Sequence, residues 1–458
     1  MNESSLLGKT RALYKELCET EWNANITGVI IAILSILIMV WWRPWGAVGA
    51  IRNWGDWILY GISFGHIEIP KLKSPLINSG SVIGIGFLGG AFLSAFLGGQ
   101  FAFRFPPYRE VVKGILAGIL MGIGAALAGG CNVGGMYNAL GNLAANGFSM
   151  WLGIVLGVLL GLWLLYKEME YISWGSNGAW TKEIPRVVQT LLGIGTLAAL
   201  IWGAYQYSGY DGDGNVDYIA SLSGILLIAA GIGYSMHRGR WCMIQGFREP
   251  HMTGDCTLAK SVALSIVILA IGGAVVKFAV PMSNEGVPVL APVNYVRGTF
   301  GWVGIAGGFL FGLGGMLAGG CGSGTLWRVG EGQLKLWIVV PFFGLANSLM
   351  SMWFKGMEFE IGGTKLNDLM TQAKYGLLYY YEDGEKFYYD VEEIQDAIDA
   401  AETIPVVGLE QAGHLGQYIY MPDTMGYGWT LGLIALSMAL WYILVTWNEE
   451  SNKLIVPM

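Results

Sequence analysis

Two stretches of this 458-residue chain repeat one another: MGIGAALAGGC at residues 121–131 and FGLGGMLAGGC at residues 311–321. Glycines at 114, 118, 122, 124, 129 and 130 recur at 304, 308, 312, 314, 319 and 320, an offset of 190 that also relates Cys131 to Cys321. The pairs Gly129–Gly130 and Gly319–Gly320 then break each helix just before its thiol. An internal repeat ending in an interrupted apolar helix points to a transport site at the interface of the copies.

The solvent follows from composition. Hydrophobic residues make up 54% of the chain, charged residues 13%, and the mean hydropathy is +0.50. A soluble domain carries about a quarter charged residues. Apolar runs long enough to cross a bilayer, roughly 20 residues each, lie near 24–42, 79–101, 112–129, 149–167, 187–207, 218–237, 258–280, 299–319, 335–354 and 428–447. The expected class is an all-α polytopic membrane protein in a lipid bilayer. A formal net charge of −7 with no basic tail gives no reason to expect a nucleic-acid partner.

Residues 47–64 are rich in Trp but hold Arg52 and Asp56, which predicts an interfacial amphipathic helix. The first apolar run begins after a polar stretch with Lys9, Arg11 and Lys15, so no cleavable signal is expected and the first span is retained. Basic clusters at Arg104/Arg109/Lys113 and Arg238/Arg240/Arg248 contrast with the acidic loop at 210–217. With basic loops inside, the N-terminus is cytoplasmic in an inner membrane, provided the segments after Cys131 and Cys321 are re-entrant. The helices leading to the two thiols then run in opposite directions, as inverted repeats with re-entrant half-helices.

Domain boundaries are expected at 1–78 (first span and interfacial helix), 79–217 (first repeat half), 218–354 (second half), 355–425 (insert) and 426–458 (last span and tail). The insert holds 14 acidic residues and 4 lysines between 355 and 423 and is Tyr-rich. It reads as a small extramembrane α+β module, with a hairpin around 382–384 and an amphipathic helix over 391–401.

The five cysteines include no Cys-x-x-Cys and no Cys/His ligand spacing, so neither a metal nor another cofactor is expected. Cys131, Cys242 and Cys321 each follow the end of an apolar run and are the candidate substrate path; Cys18 and Cys256 have no such frame. Gly129, Gly130, Gly319 and Gly320 make the breaks, and Asn132, Gly134, Gly322 and Gly324 begin the segments whose free N–H groups welcome an anion. Neutral S–H groups can hold a soft sulfur anion weakly enough to release it. Arg240, Arg328 and Glu331 add polar grip; Arg328 and Glu331, three apart, are expected to share a helical face and to pair.

GRWCMIQGFRE (239–249), AGGCGSGTLWRVGEG (318–332) and AGGCNVG (128–134) resemble the three cysteine motifs of the YeeE/YedE family of sulfur-compound transporters. The resemblance covers roughly residues 79–354. It implies an hourglass-shaped protein of inverted halves that passes thiosulfate along Cys131, Cys242 and Cys321 by transient S–H···S contacts. It also implies, as a partner, a small cytoplasmic sulfur carrier of the TusA type. The motif order is permuted: the Arg-Trp-Cys and Cys…Arg…Gly-Glu-Gly pair lies in the second half, and Ala102 aligns with Cys242. Enlarged, permuted members resemble a selenium-associated branch, which makes a selenium compound the alternative substrate. A membrane enzyme forming a cysteine persulfide beside Arg240 or Arg328 is the alternative activity.

Overall fold

The computed structural model describes residues 6–67, 69, 72–171, 179–212, 215–279, 296–356, 419–451 and 453–454, with short strands between 360 and 410. Fifteen α-helices and seven strands are found among them. The helices before the first break are α1 (Leu6–Tyr14), α2 (Ala24–Trp41), α3 (Ala47–Ile62), α4 (Ser79–Leu97) and, after β1 (Ala102–Phe105), α5 (Tyr108–Leu127). A π-turn (Asn132–Tyr137) and α6 (Asn138–Gly141) lead to α7 (Asn146–Tyr171), β2 (Trp180–Glu183), α8 (Arg186–Ser208) and α9 (Val216–Arg238). Then come α10 (Met243–Met252), α11 (Thr257–Ala279), α12 (Trp302–Ala318), α13 (Gly322–Gly330), α14 (Leu334–Gly356) and, beyond the insert, α15 (Met421–Ser451). Ten helical segments are long and apolar enough to span a membrane, so the chain is a multi-pass, all-α membrane protein.

Glycine decides how these helices meet. A Cβ on Gly124 would stand 2.5 Å from the Phe311 nitrogen and 2.6 Å from the Gly307 oxygen. One on Gly314 would stand 2.9 Å from the Ala117 oxygen and 2.9 Å from the Met121 nitrogen. Adding 190 to 117, 121 and 124 gives 307, 311 and 314, so the contacts of α5 and α12 are reciprocal, as about a local two-fold. The same contacts make the two helices antiparallel. Gly118 is seated on Val339 and Phe343 of α14, and Gly308 on Met150 and Ile154 of α7. Four helices thus interlock in the order α14–α5–α12–α7. Without a hydrophobic drive between helices in lipid, such close van der Waals approach supplies much of their association.

The expected interfacial helix 47–64 is observed as α3, which packs one face against α4 and α14 and leaves Trp57, Tyr60 and Ile62 exposed. Ile51 and Ala50 are fully buried, Gly55 touches the Gly344 backbone of α14, and Asp56 accepts from Ser348 Oγ at 2.5 Å. Asp56 is thus held by α14, while Arg52 is exposed.

Strand β1 pairs antiparallel with β2, from Ala102–Glu183 to Phe105–Trp180, a pairing with no signal in the hydropathy pattern. In the insert, β3 (Glu360–Ile361) pairs with β4 (Thr364–Lys365). Strand β5 (Leu377–Glu382) pairs with β6 (Glu385–Tyr388) as the expected Tyr-rich hairpin, and with β7 (Gly408–Glu410). The expected helix over 391–401 lies outside the described residues.

Candidate functional site

Both copies enter the site through the same backbone device. Gly129 and Gly319 take φ values of +70° and +84°, a left-handed conformation that costs a glycine little and ends α5 and α12. Cys131 (φ −77°, ψ 179°) and Cys321 (φ −74°, ψ −177°) are then extended in nearly identical fashion. In each copy the thiol residue's carbonyl accepts the next turn's first bond at 2.6 Å, from Gly135 N and Thr325 N respectively. The copies then diverge: a π-turn follows Cys131, and a regular α-helix follows Cys321.

The three candidate thiols come from different segments and meet in the interior. Cys242 Sγ donates to Cys321 Sγ at 3.5 Å, and Gly324 N donates to Cys321 Sγ at 3.1 Å. A Cβ on Gly324 would lie 2.8 Å from Cys242 Sγ and 3.0 Å from Cys321 Sγ. On the other side, Gly322 packs against Cys131, where a Cβ would reach its Sγ at 3.3 Å. Asn132 Oδ1 accepts from Gly322 N at 3.2 Å, while the amide nitrogen of Asn132 is buried without a partner. Gly134 lies against Gly46. Cys131, Cys242 and Cys321 are all 0% exposed, so this conformation is closed to solvent and lipid alike at its thiols. Cys18, beside Tyr234, and Cys256, beside Val445, stand elsewhere.

Arg328 and Glu331 do not pair. Arg328 Nη1 donates to Gly319 O at 2.7 Å and Nη2 to Gln245 Oε1 at 2.8 Å, with the guanidinium over the Trp327 ring. Its Nη1 would lie 3.5 Å from a Cβ on Gly324, the glycine that touches both sulfurs. Among the described residues its partners are a carbonyl and an amide oxygen, with no carboxylate. The side chain turned back along α13 because the orphan carbonyls at the end of α12 attract a fork of donors.

Glu331 faces the other way and is fully buried. Oε2 meets Arg104 Nη1 at 3.1 Å and Gln333 Nε2 at 3.0 Å; Oε1 lies 3.1 Å from Arg240 Nη2 and 3.3 Å from His237 Nε2. Burial by itself would raise this carboxyl, but His237, Arg240 and Arg104 outweigh it and hold it at about 2. Arg240 therefore belongs to this cluster and does not reach the thiols. Ala102, aligned with Cys242 by sequence, also lies here, its N–H donating to Glu331 O at 3.2 Å.

Sequence reasoning gave the histidines no role. His237 instead ends α9, buried, with Nδ1 2.7 Å from Ser94 Oγ, which also accepts from Arg238 Nε at 2.7 Å. The signal for this network was a lone carboxylate after one apolar run and three cations after two others. Their meeting depends on tertiary packing. Outside it, a cavity of about 660 Å³ is lined by Gln100, Arg104, Thr181, Arg186, Gln189 and Arg240 among others.

The sulphur transport family matches residues 3–160 and 238–379. The match therefore includes the N-terminal segment, and it skips α8 with most of α9. "Probable transporter YedE" of Escherichia coli (strain K12) is 26% identical over 325 residues, 67% of this chain and 74% of that protein. "Thiosulfate transporter TsuA" of the same organism is 33% identical over 130 residues, 28% of this chain and 34% of that protein. The protein of that name from Spirochaeta thermophila is 37% identical over 122 residues, 26% and 33% of the two chains. A chain matched by the sulphur transport family over most of its length, and similar to these named transporters, belongs to that family of YeeE/YedE membrane transporters.

Proposed function

We propose that this transporter imports a small sulfur oxyanion such as thiosulfate, handing it along Cys131, Cys242 and Cys321 by transient S–H···S contacts. The observation that carries the reading is the thiol pair Cys242–Cys321 beside Arg328, a buried cation with no carboxylate among the described residues. A buried charge without a counter-ion is costly, and an anion passing the thiols relieves that cost. Neutral sulfhydryls and the polar N–H groups of Gly322 and Gly324 add weak, reversible contacts, which suits passage better than tight binding.

In this reading the local two-fold lies in the membrane plane, because α5 and α12 are antiparallel. The halves divide at 79–217 and 218–354, with the basic face and N-terminus in the cytoplasm of an inner membrane. A TusA-type carrier would meet the anion at that basic face. The thiols are closed off in the present conformation, so passage requires the segments after Cys131 and Cys321 to move.

The test is growth on thiosulfate as the source of sulfur with C131A, C242A and C321A made singly at wild-type protein level. Loss of growth is expected for each; undiminished growth of all three overturns the reading. Competition of labelled thiosulfate uptake by selenite, sulfite and sulfate decides between sulfur and selenium substrates.

A further inference from the structure

The two charged sites on α13 differ in one respect. Arg328, near the Cys321 end, has no carboxylate among its partners, whereas the cations at the far end surround one that the chain itself supplies. Only three residues apart in sequence, the two are parted by direction: the Arg328 guanidinium turns back to Gly319 O, and Glu331 turns to Arg104, Arg240 and His237. We propose that Glu331 is a tethered anion occupying an oxyanion-binding site built by Arg104, Arg240 and His237, and that the transported anion takes this site when the carboxylate withdraws. The proposal rests on the transport reading for the identity of the anion and adds the subsite through which it meets the basic face.

Position argues for it first. Glu331 is 0% exposed, but the Arg104 and Arg240 side chains are 39% and 41% exposed and line the 660 Å³ cavity. The guanidiniums thus present one edge to a solvent-reaching cavity and the other to the carboxylate. An anion in the cavity and the carboxylate compete for the same donors.

The fit of the resident carboxylate is the second argument. Oε1 has Arg240 Nη2 at 3.1 Å and His237 Nε2 at 3.3 Å, yet neither contact is a directed hydrogen bond. His237 is oriented to offer one: the Ser94 hydroxyl accepts from Arg238 Nε, which directs its proton to His237 Nδ1 and leaves the imidazole N–H on Nε2, facing Glu331. A planar carboxylate meets the cage imperfectly, and a tetrahedral oxyanion has a further oxygen with which to engage it.

Connection to the path is the third. Glu331 follows the helix that begins at Cys321, and Arg240 precedes Cys242 by two residues in a turn where it holds φ +46°, a conformation uncommon outside glycine. The remaining charged and polar neighbours are committed elsewhere: Arg238 to Ser94 and Gln100, Gln333 to the Oε2 side, and Arg186, across the cavity, to Glu19. Withdrawal of the carboxylate therefore opens Arg104, the Nη2 edge of Arg240 and His237 together, while Arg240 Nε keeps the exposed Glu21 at 3.5 Å.

Equilibrium binding of radiolabelled sulfate and thiosulfate to the full-length protein in detergent tests this. E331Q should bind both anions about tenfold more tightly than wild type, the scale expected when one like charge a few ångström away is removed. E331D should fall between, and E331Q combined with R104Q and R240Q should lose the gain. The gain should persist when Cys131, Cys242 and Cys321 are all alanine, because the site contains no thiol. Failure of the transport reading would show separately, as uptake indifferent to those cysteines. Unchanged or weaker binding by E331Q, or a gain that survives removal of both arginines, overturns the proposal. Should E331Q fail to fold, E331D decides: tighter binding supports the site, and unchanged or weaker binding overturns it.

Discussion

Gly322 donates its backbone N–H to the side-chain oxygen of Asn132 at 3.2 Å, and the two positions are counterparts, 190 residues apart. A residue that touches its own counterpart lies beside the axis relating the copies. Cys131 and Cys321 immediately precede these residues, so both thiols are delivered to the centre of the repeat. Asymmetry enters in the same place, because one copy offers an amide side chain where the other offers a bare backbone.

Gly324 should tolerate no side chain. A methyl group there falls within 3.0 Å of both Cys242 and Cys321 sulfurs, and overpacking of this kind costs about 1–3 kcal/mol. G324A is expected to lower the melting temperature in detergent and to abolish thiosulfate uptake. Gly195 on α8, with nothing within 4 Å of its would-be Cβ, is the control; G195A should be neutral or slightly stabilising in the same assay.

Full burial of Cys131, Cys242 and Cys321 predicts slow maleimide labelling of the resting protein. Addition of thiosulfate should change the labelling rate of these thiols, measured by mass spectrometry, if the path opens during turnover. A rate indifferent to thiosulfate would mean that the thiols stay sealed while the protein works.

Arg328 combines a charge with a fork of donors. R328Q should raise the thiosulfate concentration for half-maximal uptake at least about tenfold, the scale of a lost charge-assisted contact. R328K keeps the charge but cannot hold Gly319 O and Gln245 Oε1 together, so its uptake should be partly retained while its melting temperature falls. Equal uptake by R328Q and wild type would remove Arg328 from the path.

Glu331 predicts a difference in acid stability. Its folded carboxyl is held at about 2, below the ordinary value of 4.5. Its stabilising contribution is therefore complete above about 4.5 and is lost as pH falls through that interval toward 2. Melting temperatures at pH 6 and pH 3 should fall further for wild type than for E331Q, which has no carboxylate to protonate. Equal falls would show that Glu331 is not held by Arg104, Arg240 and His237.

The insert should be separable from transport if cut in the right place. Ala144 pairs with Tyr420, and Lys277 donates to Asn142 O under the Tyr420 ring, so residues 419–423 belong to the helical body. Replacing 357–418 with a short flexible linker should spare uptake. Loss of uptake by a well-folded deletion would give the insert a role in gating.

Spans and breaks were local properties, legible because twenty apolar residues or a Gly–Gly pair before a thiol carry their meaning wherever they fold. So was the equivalence of Cys131 and Cys321, since a constant offset of 190 survives in the letters. The surroundings of Arg328 and Glu331 were not. Helical spacing offered each the other as a partner, and Coulomb attraction at that range is modest. Packing placed the open end of α12 beside Arg328, and Arg104 of β1, His237 of α9 and Arg240 of the turn after it around Glu331, and buried contacts outweighed the neighbour in sequence. Sequence alone determined which residues could enter the membrane and where its helices had to stop. Tertiary structure decided which charges met, because those encounters join segments more than ninety residues apart.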